Sequence, residues 1–387
     1  MKIHFPLLHI FIAILALTPR GAFSQVTIGS TEEPSKGALL DLKENLNGTS
    51  NKGLMLPRVE LAANNTLTIA SGATSNSDYI GTVVYNTKKI ETSEADRLCP
   101  GVHVWTGSKW QPLVAYPINT IPPSLAGPEA DLVDSRDSET YHTARFHSVK
   151  AGSPYSCTPV EVVIIDAGIW MTQNLRYTQG LTNSPADTYV TMQYYTPSNT
   201  GATAARIREN GKLYNWAAAS SQKGNATTGQ GNVDNPPTYE ANDEKYDTAG
   251  AATEVRRQGV CPPGWHLPTD TEWYILTEAL KLRPDLYSSQ TTATDTNVGN
   301  VMKNSTEAAG AYLGTSKPSD QGGFAGYLVG FANQNRVTGY GVSNHWWASS
   351  SYNGANSWKR RVDNSTSSID WSPSSRNNHF SVRCKKD

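Results

Sequence analysis

The chain has 387 residues, with 33 Lys and Arg against 34 Asp and Glu and a formal net charge of −1. Neither sign dominates, which removes the electrostatic case for nucleic acid or an anionic lipid surface as partner. The length suits two domains of ordinary size. The 10 Trp and 18 Tyr against 7 Phe favour rings that carry a hydrogen-bonding handle, as half-exposed faces and sugar-binding surfaces use them.

The N-terminus, "MKIHFPLLHIFIAILALTPRGAFSQ", reads as an export signal over residues 1–24. Lys2 precedes an apolar run from Leu7 to Leu17, and Ala22 and Ser24 are the small residues before a cut. The run is too short to span a bilayer, and no later stretch approaches the ~20 apolar residues that spanning needs. The expected product is exported to the cell surface, periplasm or medium without a membrane span. The first cysteine is Cys99, far from the cut, so a lipoprotein is not expected. Export makes Cys99, Cys157, Cys261 and Cys384 disulfide candidates with three possible pairings. None of them forms the closely spaced clip of a zinc site.

Residues 25–116 read as a small β-rich module. Apolar segments at Leu39–Leu42 and Leu54–Pro57 precede strands in "YIGTVVYNTKK" and "GVHVWTGSKWQPL". Prolines, then acidic and hydroxyl residues, mark 117–154 as a linker with at most one short strand. Residues 155–387 read as an α+β domain. It opens on a strand in "VEVVIIDAGIWMTQNLRYT", continues through a short helix in "GKLYNWAAA", and carries a polar surface insertion from Ser221 to Thr253.

The clearest local signal is "CPPGWHLPTDTEWYILTEALKLRP". Thr269 and Glu272 form a capping box. Asp270 and Glu272 lie at the positive end of the helix dipole. Trp273, Leu276 and Leu280 make one buried face, and Pro284 ends the helix. Ahead of it, two prolines and Gly264 make a rigid corner that Trp265 pins to the core. Cys261 anchors that corner. Cys384 is the favoured partner because the bond would close nearly the whole domain, worth about 5 kcal/mol of loop entropy. Cys157–Cys261 with Cys99–Cys384 is the second pairing.

"IWMTQNLRY", "GKLYNWAAA", "GVCPPGWHLPTDTEWYIL", "GGFAGYLVGFAN", "HWWASS" and "HFSVRCKKD", in that order, resemble the Fibrobacter succinogenes major paralogous domain over about residues 160–387. "HLPTDTEW" and "FSVRC" are also similar to the formylglycine-generating enzyme and sulfatase-modifying-factor family. Both resemblances imply a C-type-lectin-like fold whose ends meet, which a Cys261–Cys384 bond fits. Leu40, Asp41, Leu42, Gly53, Leu54, Tyr85, Trp105 and Trp110 carry a resemblance to a module of exported Bacteroidetes proteins. That resemblance implies a spacer or self-assembly piece.

Formylglycine-generating enzymes use a reactive, copper-binding cysteine pair late in the domain, and the matching zone here, "HWWASSSYNGANSWKRRVDNSTSSIDW", has no cysteine. His266, His345 and His379 are far apart, without ligand spacing, and read as ordinary loop histidines. The "EPN", "QPD" and "WND" triplets of calcium-dependent lectins are missing too. Asp234, Asp243, Glu244 and Asp247 belong to the solvated insertion. No catalytic residue, cofactor or metal is therefore assigned. The expectation is a non-catalytic surface recognition or adhesion protein with a glycan or a host surface protein as partner. Its ligand face is placed at Trp358, Arg360 and Arg361 of "NGANSWKRR" and at Trp371. Trp346 and Trp347 are expected in the core, as is Trp170. Asn174 of the family's W-x-x-x-N-L motif is expected to satisfy backbone groups in a buried turn. The alternative is a structural component of a surface appendage or matrix, and the third choice an enzyme of unseen site.

Overall fold

Strands dominate the architecture, with a few short helices, in an α+β fold. The structure is a computed structural model that describes residues 26–31, 33–36, 38–67, 76–187, 191–197, 203–221, 257–306, 312–352 and 355–387. The expected signal peptide and nearly all of the expected insertion lie outside the described residues. The chain divides into an N-terminal unit, residues 1–117 with 155–158, and a C-terminal unit, residues 118–154 with 159–387. Among the described residues no helix is long and apolar enough to cross a membrane.

The N-terminal unit contains β1 (Val26–Ile28), β2 (Leu40–Leu42), β3 (Arg58–Val59), β4 (Val83–Asn86), β5 (Gly101–Trp105) and β6 (Trp110–Pro112). β3 to β6 form one sheet in chain order, β3 parallel to β4 and the rest antiparallel. Leu61, Val84, Leu98, Trp105 and Trp110 make its core. Asn86 is fully buried and satisfies the chain around it: it accepts from the Leu61 and Lys88 amides and donates to the Lys88 and Cys99 carbonyls. Cys99 bonds to Cys157. β1 and β2 stand apart as a two-stranded parallel pair. None of the described residues from 27 to 60 is buried.

The C-terminal unit continues with β7 (Gly127–Val133), β8 (Thr140–Ala151), β9 (Val162–Met171), β10 (Thr182–Asn183), β11 (Gln193–Tyr195), α1 (Ala204–Asn210), β12 (Leu213–Asn215) and α2 (Trp216–Ala219). Then come β13 (Trp265–His266), α3 (Asp270–Leu282), α4 (Val298–Met302), β14 (Val329–Asn333), β15 (Arg336–Tyr340), β16 (Ser343–Ser351), β17 (Asn356–Asp363), β18 (Asp370–Ser375), β19 (His379–Ser381) and β20 (Lys385–Lys386). One sheet has the order β13-β20-β9-β8-β7, and the larger runs β10-β11-β12-β19-β14-β16-β17-β18 with β15 on β14. α3 packs its Trp273, Leu276 and Leu280 into a core shared with Phe146, Trp170, Trp346 and Trp358. A second core gathers Tyr141, Trp216, Trp265, Trp347 and Phe380 beside the Cys261–Cys384 disulfide.

α3 starts where its cap dictates. The Thr269 hydroxyl accepts from the Glu272 amide at 3.1 Å, and Glu272 Oε2 accepts from the Thr269 amide at 3.0 Å. Pro284 then opens a single 3-10 turn, Pro284–Leu286. "GKLYNWAAA" is helical only over Trp216–Ala219. Its first half is β12, and Asn215 caps the turn by accepting from the Ala218 amide.

The stretch read as a linker, 117–154, differs most from expectation. It holds β7, an edge strand of the five-stranded sheet, and the twelve residues of β8, which lies between β7 and the central strand β9. Cover on both faces explains the misreading: Phe146, His147, Ser148 and Val149 are consecutive and all buried. A strand buried on both sides lacks the apolar–polar alternation on which strand recognition rests. The register shift beside this stretch belongs to the partner strand, where Ala167 of β9 is the extra residue between the Phe146–Gly168 and His147–Asp166 pairs.

Candidate functional site

Two of the four expected ligand residues are interior. "NGANSWKRR" was read as a polar loop, yet most of it is β17, a strand with neighbours on both edges and cover on both faces. Trp358 is therefore 4% exposed, its ring edge-on to Tyr352 at 5.3 Å within the α3 core. Arg360 is buried and pairs with Asp270, donating also to the Asp270 carbonyl. It neutralises a carboxylate at the start of α3. Arg361 and Trp371 do reach solvent. Residues directly opposite across a ladder share a face, and the register pairs Arg360 with Trp371 and Arg361 with Asp370. Trp371 thus leaves the hairpin on one side and Arg361 on the other, so the expected set is not assembled. Of the ten tryptophans, nine are buried and Trp371, on the edge strand β18, is 44% exposed.

Arg361's side of the hairpin is charged and internally paired. Lys359 Nζ donates to Asp370 Oδ2 at 2.9 Å and to Ser372 Oγ at 2.8 Å. Burial lowers the Lys359 pKa, and Asp370 opposes that shift. Burial would raise Asp370, but Lys359 outweighs it and holds the carboxylate below its usual range. Arg361 pairs with Asp363 at 2.8 Å. His345 stacks on Phe380 at 5.0 Å, and burial drives its pKa well below the ordinary value, so the ring is neutral. His266, His345 and His379 are all buried in strands rather than placed in loops; a carboxylate covers His266 and an aromatic ring covers His345.

The residues given structural roles form two hubs. Asn174 Oδ1 accepts from Trp346 Nε1 and Arg383 Nε, both at 3.0 Å, while its amide donates to the Asn210 carbonyl and Ser381 Oγ. Glu272, besides capping α3, accepts from His266 Nε2 at 2.9 Å and Lys385 Nζ at 2.6 Å, and His266 Nδ1 meets Asp387 at 2.7 Å. Trp170 and Trp273 stack edge-on at 5.0 Å. Trp347 donates to the Tyr214 carbonyl. Trp265 lies in the second core beside the disulfide.

Sequence reasoning missed the buried cations. Arg383 is fully buried and donates to the Phe324 and Ala325 carbonyls. Lys303 Nζ is held by the Tyr312, Asp363 and Thr366 carbonyls at 2.7–2.9 Å. Their partners lie far off in sequence, and only the position of Arg383 beside Cys384 in "FSVRC" hinted at it. Among the described residues no three His, Cys, Asp or Glu side chains gather as a metal site.

The N-terminal unit presents a different surface. Ile28, Leu39, Leu40, Leu46, Leu54 and Met55 are all more than half exposed. Gly53 to Leu56, Arg58, Tyr85 and Val102 line a groove of about 500 Å3.

The Fibrobacter succinogenes major domain family matches residues 163–386, more than half of the chain. The chain belongs to that family. Its major domain holds the Asn174 and Glu272 hubs and the β17–β18 hairpin. β7 and β8 precede the matched stretch. Residues 27–127 are similar to a phage tail like trimerisation region. No curated protein and no solved structure matches the chain.

Proposed function

We propose that the mature chain is an exported, non-catalytic recognition protein, held as a trimer by its N-terminal unit and presenting its major domain to a surface partner. The uncovered apolar surface of the N-terminal unit, in a stretch similar to a trimerisation region, carries this reading. Soluble monomers rarely leave contiguous apolar patches beyond a few hundred Å2, and larger ones mark association sites. In the major domain, Asp270, Glu272, Lys359 and Asp370 are engaged in internal pairs, which favours binding over acid–base chemistry. Two disulfides suit an oxidising compartment outside the cytosol. A C-type-lectin-like major domain fits the return of β20 to β9, where Lys385 pairs with Trp170. Light scattering after size exclusion tests the assembly: the chain from Gln25 onward should elute at three times its own mass. A single-chain mass at every concentration sinks the reading.

A carbohydrate partner is the second reading, and the exposure of Trp371 favours it. A flat ring on an edge strand offers a stacking face for a sugar, with Ser375 on the same face of that strand as a hydroxyl partner. The mature chain should bind a subset of a glycan array and Trp371→Ala should lose that binding. If the unaltered chain binds none, the structural appendage or matrix role takes its place.

A further inference from the structure

The trimer reading leaves open which surfaces meet, and the N-terminal unit carries two unlike apolar features. The first is an arm, the β1–β2 pair. Two parallel strands of three residues each are unstable alone in water, and parallel pairs normally sit under cover on both faces. Here Ile28 is 57% and Leu40 51% exposed, and Leu42 is exposed beside them. The pair contributes nothing to the Leu61–Trp110 core. Polar contacts hold the arm instead: Ser35 on Asp41 at 2.8 Å, Lys43 on Asp41 at 3.2 Å, and Lys43 Nζ on the Glu33 carbonyl. An element ordered this way, with its leucines outward, is shaped for a surface it does not find among the described residues of its own copy.

The second feature is the groove, where Met55 is 85% exposed and Leu54 lies open beside it. Arg58 stands over the Tyr85 ring at its rim, 5.5 Å from the centroid.

Symmetry chooses between the possible partners. A twofold dimer buries one self-complementary patch, whereas a closed ring of three needs two different patches per copy, one fitting the other. The unit offers one projecting apolar element and one concave apolar surface. We infer that the trimer closes by arm-in-groove contacts, with Ile28, Leu40 and Leu42 of each copy covering Leu54, Met55 and Tyr85 of the next. This assignment rests on the trimer reading and adds the surfaces to it.

The full mature chain tests it. The unaltered protein should run as a trimer by light scattering. Leu40→Asp with Leu42→Asp, and separately Leu54→Glu with Met55→Glu, should each give single chains. Unchanged near-ultraviolet dichroism would show that the Trp105–Trp110 core is folded in both. Leu40→Cys or Leu42→Cys combined with Leu54→Cys or Met55→Cys should, on mild oxidation, give a covalent three-chain band. That band requires both cysteines in each copy. If the unaltered chain is a trimer but the acidic variants keep the three-chain mass, or no cysteine pair closes the ring, the arm-in-groove assignment is overturned while the trimer stands. If the unaltered chain is single, the trimer reading itself fails and takes the assignment with it.

Discussion

Replacing Asn174 by Ala removes four hydrogen bonds from one buried point. Trp346 Nε1 and Arg383 Nε lose their acceptor in an interior from which water is excluded, and an orphaned buried donor costs about 1–3 kcal/mol, more when it is charged. Burial lowers the Arg383 pKa to about 9, so the guanidinium is still charged at neutral pH. Ser381 retains Asn344 as acceptor at 3.1 Å and loses little. The sum is about 4 kcal/mol, a large part of the 5–15 kcal/mol that holds a typical domain together. Asn174→Asp should cost only about half as much. It retains the acceptor and gives Arg383 a carboxylate, but leaves the Asn210 carbonyl without its donor. Urea unfolding of the mature chain, followed by tryptophan fluorescence, measures both. A loss below about 1 kcal/mol for the Ala variant, or an Asp variant worse than Ala, would refute Asn174 Oδ1 as the point on which Trp346 and Arg383 depend.

Acid should weaken the C-terminal unit through Glu272. Burial alone would raise its pKa, but the His266 hydrogen bond and the Lys385 charge outweigh it and hold the carboxyl at about 2. A carboxyl held below its unfolded value stabilises the fold above about pH 4.5, and that stability, up to about 3 kcal/mol, is lost as pH falls towards 2. Glu272→Gln should flatten that acid limb in urea titrations run at stepped pH; an unchanged slope would count against the network. Trp371→Ala should leave stability within about 0.5 kcal/mol, as an exposed substitution does. Trp347→Ala should cost about 3–5 kcal/mol, because its ring packs on Phe380 at 4.3 Å and on Trp216 at 5.5 Å.

What the sequence makes legible is local. Thr269 and Glu272 are three positions apart, so the cap that starts α3 is written in one short string. The corner before it carries its own prolines, Gly264 and Cys261. Trp358 was illegible for the opposite reason: in "NSWKRRVD" both faces of the strand are covered, and Lys359 and Arg360 are buried by pairing with Asp370 and Asp270. Charge then stops reporting exposure. β8 was hidden by its cover on both faces. The leucines of the arm read as apolar strand residues, but whether such residues face their own core or another chain is set by packing that no short window contains.

The two disulfides, Cys99–Cys157 and Cys261–Cys384, close loops that do not overlap, so the backbone between Cys157 and Cys261 is a bridge no crosslink spans. A single engineered cleavage between 222 and 256 would therefore yield two polypeptides with no covalent tie, each keeping one disulfide. The seam would pass once through each large sheet: between β9 and β20 in one, and between β12 and β19 in the other. The halves would be rejoined by three ladder pairs from Leu213–Ser381 to Asn215–His379, by Lys385 against Trp170, and by Asn174 gripping Trp346 and Arg383. A fold partitioned in this way is suited to being expressed as two fragments that find each other, with recovery of the joined sheets reporting that they have met.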